Sequence, residues 1–135
     1  MTVTNQLNRI VDFLFGRSGA SEVAPTTYYI GLATGDVSTS GTVTGEISGG
    51  NYARVSVTNS KDSFTAGDGG ALSNKITIAF NQSSTSWGQI KTVFVADAAT
   101  GGNVLYYATL SPTKLVQALA TVQFDPGQIT FTASN

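Results

Sequence analysis

Between Asn5 and Phe15 the apolar residues Leu7, Ile10, Val11, Leu14 and Phe15 recur at i, i+3, i+4, i+7 and i+8. That spacing lays them on one stripe of a 3.6-residue repeat, the signature of an amphipathic helix. Asn5, Asn8, Arg9 and Asp12 fall mostly on the other side. Thr4 or Asn5 can cap the start, and Gly16 stands where a left-handed C-terminal residue is expected, so a helix is predicted over 4–16. Two uses fit such a stripe: packing on the chain's own sheet, or docking onto a partner subunit.

After Pro25 the period drops to two. Tyr28, Ile30 and Leu32 alternate with Tyr29, Gly31 and Ala33, as in a strand of aromatic and branched residues. A Ser/Thr/Gly-rich stretch over 36–50 reads as a surface excursion with little apolar content. Further strands are expected near 52–58, 76–80, 90–96, 104–110, 121–124 and 129–132, separated by turn chemistry such as Gly67-Asp68-Gly69-Gly70, Gly101-Gly102 and Asp125-Pro126-Gly127. From Pro112 to Ala120 the pattern is ambiguous: Leu115, Val116 and Leu119 suit a helical turn, but irregular backbone fits as well. About seven to eight short strands behind one N-terminal helix predict a mainly β, antiparallel β-sandwich in a single domain, 1–135, with the sandwich over 26–135.

Composition narrows the functional classes. Seven Lys and Arg against eight Asp and Glu give a formal charge of −1, with no basic footprint for nucleic acid or an anionic membrane. There is no His and no Cys, which removes the usual ligands for zinc, haem and iron–sulfur groups and the usual general base. No cofactor or metal is expected. Arg9 and Asp12 interrupt the apolar residues at the front, so neither a secretory leader nor a membrane insertion is expected, and no stretch reaches the ~18–20 apolar residues of a spanning helix.

The carboxylates Asp12, Glu22, Asp36, Glu46, Asp62, Asp68, Asp97 and Asp125 sit mostly beside Gly, Pro or Ser, where they serve turns; that is the expected role of Asp97 and Asp125. Asp62 and Asp68 share a loop whose spacing fits no calcium-binding pattern. No Gly-x-Ser-x-Gly elbow occurs, and Ser48-Gly49-Gly50-Asn51 lacks the Lys and the strand-to-helix setting of a phosphate loop. An enzyme is therefore not expected. The adjacent pairs Tyr28-Tyr29 and Tyr106-Tyr107 put one ring of each pair on either side of a strand. An outward ring could pack internally, join a subunit interface or stack on a glycan, and Trp87 is open to the same uses. Arg54 is placed to pair with Glu46, a structural link in preference to a binding role.

Three stretches together resemble one family. Glu46-Ile47-Ser48-Gly49-Gly50-Asn51-Tyr52-Ala53-Arg54-Val55 combines an acidic residue, a glycine pair and a Tyr-Ala-Arg strand. Ala96-Asp97-Ala98-Ala99-Thr100-Gly101-Gly102-Asn103-Val104-Leu105-Tyr106-Tyr107 resembles its hairpin, and Phe124-Asp125-Pro126-Gly127-Gln128-Ile129-Thr130-Phe131 its closing turn and strand. With the first helix and Tyr29-Ile30-Gly31-Leu32-Ala33-Thr34, the order over nearly the whole chain is similar to that of small tailed-bacteriophage tail fibre proteins. Val116-Gln117-Ala118 departs from that pattern, which places a glycine turn before the last hairpin. The resemblance implies a non-enzymatic structural component of the virion, made in the host bacterial cytoplasm, with no catalytic residues to carry over. Its expected partners are other virion proteins and further copies of itself, with a trimer as the common build of fibres and capsid ornaments. A position in the tail or its fibres comes first, a capsid decoration protein on the head second, and a module for a host receptor or glycan third. The candidate interface residues are Leu7, Ile10, Val11, Leu14, Tyr29, Trp87 and Tyr107.

Overall fold

The structure, a computed structural model, describes residues 2–15 and 24–132. Helix α1 (Thr4–Leu14) is followed by eight strands: β1 (Thr27–Ala33), β2 (Val55–Thr58), β3 (Ala71–Ser73), β4 (Ile78–Ala79), β5 (Gly88–Ala96), β6 (Val104–Val116), β7 (Gln123–Phe124) and β8 (Thr130–Thr132). An antiparallel four-stranded sheet, in the order β2-β1-β5-β6, faces the short pairs β3-β8 and β4-β7. The β-rich sandwich with one N-terminal helix is thus what the period-two patterning predicts.

Alternation along β1 divides its side chains between two cores. Ile30 and Leu32 join Val57, Val93, Val95, Ile78, Trp87 and Ile129 in the larger one, between the layers. Ala33 turns to the other face, where Val3, Val37, Phe94, Ala96 and Val104 form a second cluster. With cores on both faces, β5 is buried without a break from Thr92 to Ala96 and reads as an apolar run, as a strand covered on both sides must. Gly31 lies opposite Phe94 in the β1/β5 register. A Cβ at Gly31 would fall inside contact distance of the Phe94 ring, so the ring occupies the space that the glycine leaves.

The 36–50 stretch runs over the surface, as its composition predicts, but it is ordered by backbone hydrogen bonds. It folds back as an irregular ribbon, with bridges Ala33↔Glu46 and Val37↔Val43. Thr34 and Gly35 donate to the carbonyls of Gly45 and Thr44 at 2.9 and 3.1 Å. Its sparse apolar residues do the packing: Val37 enters the second cluster and Ile47 the main core.

Three further readings are decided by the backbone, the first of them open in the sequence between a helical turn and irregular structure. The 112–120 stretch forms no helical turn, because β6 continues through Pro112 to Val116, where it pairs with Gly88. The chain then reverses at Leu119, which takes the left-handed conformation (φ 63°) that a glycine usually supplies. Buried Ser83 holds this reversal by donating to Gln117 O at 2.6 Å and accepting from Ala120 N at 3.1 Å. Leu119 is 74% exposed, so its side chain contributes little burial against that backbone cost. Leu119→Gly is expected to leave stability unchanged or raise it by up to ~1 kcal/mol, read by urea denaturation. The predicted strand at 76–80 is shorter than expected: Ile78 and Phe80 are buried, but Ile76 is exposed and lies outside β4.

The third concerns the helix, for whose stripe the sequence leaves two uses open. Thr2 and Val3 dock on the outer edge of β6, through the Thr2↔Tyr106 bridge and a Val3 N to Leu105 O bond of 3.1 Å. Thr4 N is held by Thr39 O at 2.9 Å. From that tether α1 leaves the sheet. Leu7 and Ile10 are half-buried, whereas Val11, Leu14 and Phe15 are 52, 69 and 76% exposed. Packing of the whole stripe on the chain's own sheet is therefore not what forms. The expected C-terminal cap, Gly16, lies outside the described residues.

Candidate functional site

Two of the three recognised stretches meet at one side chain. Arg54 leads into β2 with its side chain only 4% exposed, and its fork grips Glu46 twice, Nε to Oε1 at 2.7 Å and Nη2 to Oε2 at 2.9 Å. Nη1 donates to Ala98 O at 2.7 Å and Gly101 O at 2.9 Å, in the hairpin between β5 and β6. The guanidinium lies 5.1 Å from the Phe94 ring centroid, within cation–π range. A bidentate, charge-assisted pair is the strongest geometry available to these groups. Its hydrogen bonds to Glu46 hold the Arg54 guanidinium above its ordinary pKa.

Tyr52 completes the cluster. Its hydroxyl donates to Glu46 Oε1 at 3.2 Å and accepts from Leu32 N at 3.0 Å, tying the carboxylate to β1. Burial pushes the phenol far above the usual tyrosine value, so it stays protonated and remains a donor to Glu46. The Tyr52 ring sits edge-on to Trp87 with centroids 5.5 Å apart. Beside the cluster runs a groove of about 490 Å³, lined by Glu46, Tyr52, Arg54 and the segments 47–49 and 99–101. With four hydrogen bonds committed to Glu46 and two carbonyls, Arg54 acts as a clamp between loops, the structural role expected from its sequence.

The carboxylates of the turns also behave as expected. Asp97 accepts from Asn103 N at 2.7 Å and from its side-chain amide at 3.0 Å, closing the hairpin. Asp125 accepts from Gln123 Nε2 at 2.7 Å. The third recognised stretch is latched by Asn74, a fully buried residue with no signature in the sequence. Asn74 Nδ2 donates to Ile76 O and Asp125 O at 2.8 and 3.0 Å, and Oδ1 accepts from Ile129 N at 3.0 Å.

The candidate interface residues separate into three settings. Trp87 is 5% exposed, and its indole N–H donates to Gly50 O at 2.8 Å; it belongs to the core, and surface stacking is not open to it. Tyr29 and Tyr107 are half-buried, with Tyr107 packed on the second cluster. Of the candidates, Val11 and Leu14 on the helix are the exposed apolar ones among the described residues, and Phe15 extends their stripe.

One pocket escaped the sequence reading. Tyr28, Phe64, Leu72, Val95, Tyr106 and Phe131 enclose a half-open cavity of about 100 Å³ between the layers, with Asn59 beside them. Three edge-to-face ring contacts run around it: Tyr28–Phe64, Phe64–Phe131 and Phe131–Tyr106, with centroids 6.0, 5.7 and 5.8 Å apart. Its residues come from five strands and the loop between β2 and β3, so no local spacing announces it.

Comparison with known proteins gives one family. A family model described as podophage GP4 fiber I protein gp80 matches residues 3–132. No curated protein matches the chain significantly.

Proposed function

Because this chain belongs to the podophage GP4 fiber I protein family, a phage tail fibre family, we propose that it is a non-enzymatic structural component of the tail or its fibres, joined to its neighbours through helix α1 and the surfaces of the sandwich. Membership implies a virion component that associates with other virion proteins. The observation that carries the finer reading is the helix: an amphipathic stripe tethered by Thr2–Thr4 to the sheet edge and exposed from Val11 onward. Exposed apolar residues at consecutive helical positions mark an interaction surface more often than scattered ones do. The clamped loops around Arg54 give that helix a rigid body to attach.

Leu14→Asp tests the attachment. Since Leu14 is already 69% exposed, the variant should unfold within ~0.5 kcal/mol of the wild type. Its incorporation into particles, measured by quantitative mass spectrometry of purified virions, should fall to background. Wild-type incorporation of a folded Leu14→Asp protein would remove the helix from the assembly.

The decoration and glycan readings have no separate support in the geometry. Burial of Trp87 removes one of the rings on which a glycan platform was to rest, and Tyr29 and Tyr107 are each half-buried.

A further inference from the structure

We propose that the Phe15 ring of one copy seats in the aromatic pocket of a second copy, so that copies join head to tail. The inference rests on the reading of α1 as the attachment element and names its partner.

Size and chemistry match on the two sides. The cavity of about 100 Å³ suits one six-membered ring, and its walls are four aromatic rings whose edge-to-face geometry a fifth ring would extend. No carboxylate or cation lines it, and Val11, Leu14 and Phe15 bring none, so closure would desolvate no charge. Among the described residues, Phe15 is the most exposed of the large hydrophobic side chains.

Reach decides between a contact within one chain and a contact between chains. The Thr2↔Tyr106 bridge and the Thr2 Oγ1 to Thr132 O bond of 2.8 Å place the start of the helix next to two of the pocket's own elements. From there eleven helical residues, at about 1.5 Å each, carry the chain roughly 16 Å onward. Phe15 stands 76% exposed and takes no part in its own pocket. A pocket beside the start of α1 and its matching ring just past the end of α1 form a heterologous pair, which closes into a ring of subunits when the rotation between copies permits.

The test uses the isolated full-length protein in sedimentation equilibrium. The wild type should associate, and Phe15→Ala should weaken association at least about tenfold, the loss typical of a buried anchor. Asn59→Trp should block the pocket mouth to the same extent from an exposed position; thermal melts confirm that both variants fold. Mixed together, the two variants retain one intact contact, Asn59→Trp supplying Phe15 and Phe15→Ala supplying the pocket. A 1:1 complex limited to two chains is expected. A monomeric wild type at millimolar concentration, unchanged association of Phe15→Ala, or no complex in the mixture would each overturn the proposal. Loss of particle incorporation by Leu14→Asp alongside any of these would leave the attachment role standing and reject only this partner.

Discussion

Replacing Arg54 by alanine should lower the free energy of unfolding by about 3 kcal/mol, or a midpoint shift of about 10 °C. Removing one member of a buried pair strands the other, and the usual cost is roughly 3–5 kcal/mol. Glu46 keeps 30% of its side chain in water, which places the effect at the lower end. The carbonyls of Ala98 and Gly101 lose their donor at the same time, and Phe94 loses the cation over its ring. Arg54→Lys should recover only a minority of the loss, because an ammonium cannot span Glu46 and two carbonyls at once. Urea denaturation of the three proteins checks this, and a loss below about 1 kcal/mol for Arg54→Ala would show that the clamp does not hold the loops.

A single methyl at Gly31 should cost nearly as much, about 2–3 kcal/mol, for the opposite reason. Here nothing is removed; an atom is added where the fully buried Phe94 ring already lies. The diagnostic is coupling. In a Phe94→Leu background, Gly31→Ala should cost at least ~0.5 kcal/mol less than in the wild type, because the smaller side chain frees the space. Equal costs in the two backgrounds would mean that the glycine serves backbone conformation and not the ring.

These two positions also show what the sequence could and could not convey. The period-two pattern of 28–33 and the near-continuous apolar run of 90–96 are local signals, and both became central strands. The Glu46–Arg54 pair was legible because both partners are charged and close in the chain. The other half of the clamp was not, since its acceptors are backbone carbonyls 44 and 47 residues away, and a carbonyl carries no sequence signature. Asn74 and Ser83 stayed hidden for the same reason: each bonds mainly to backbone, and each is one Asn or Ser among many. The 112–120 stretch stayed ambiguous because Leu119 takes a conformation for which the sequence offers no glycine. The helix was legible in its existence and its stripe, but what the stripe touches depends on tertiary geometry. Thr2 and Val3 settle that by pinning its start to the β6 edge, and Val11, Leu14 and Phe15 are left facing outward.

The measurement that tests the account most directly is a cryo-EM reconstruction of the intact particle that locates this chain and counts its copies. The account predicts a small number of copies in the tail or its fibres, with Val11, Leu14 and Phe15 covered by a neighbouring subunit. Hundreds of copies arrayed on the head, or a helix stripe left bare in the assembled particle, would contradict it.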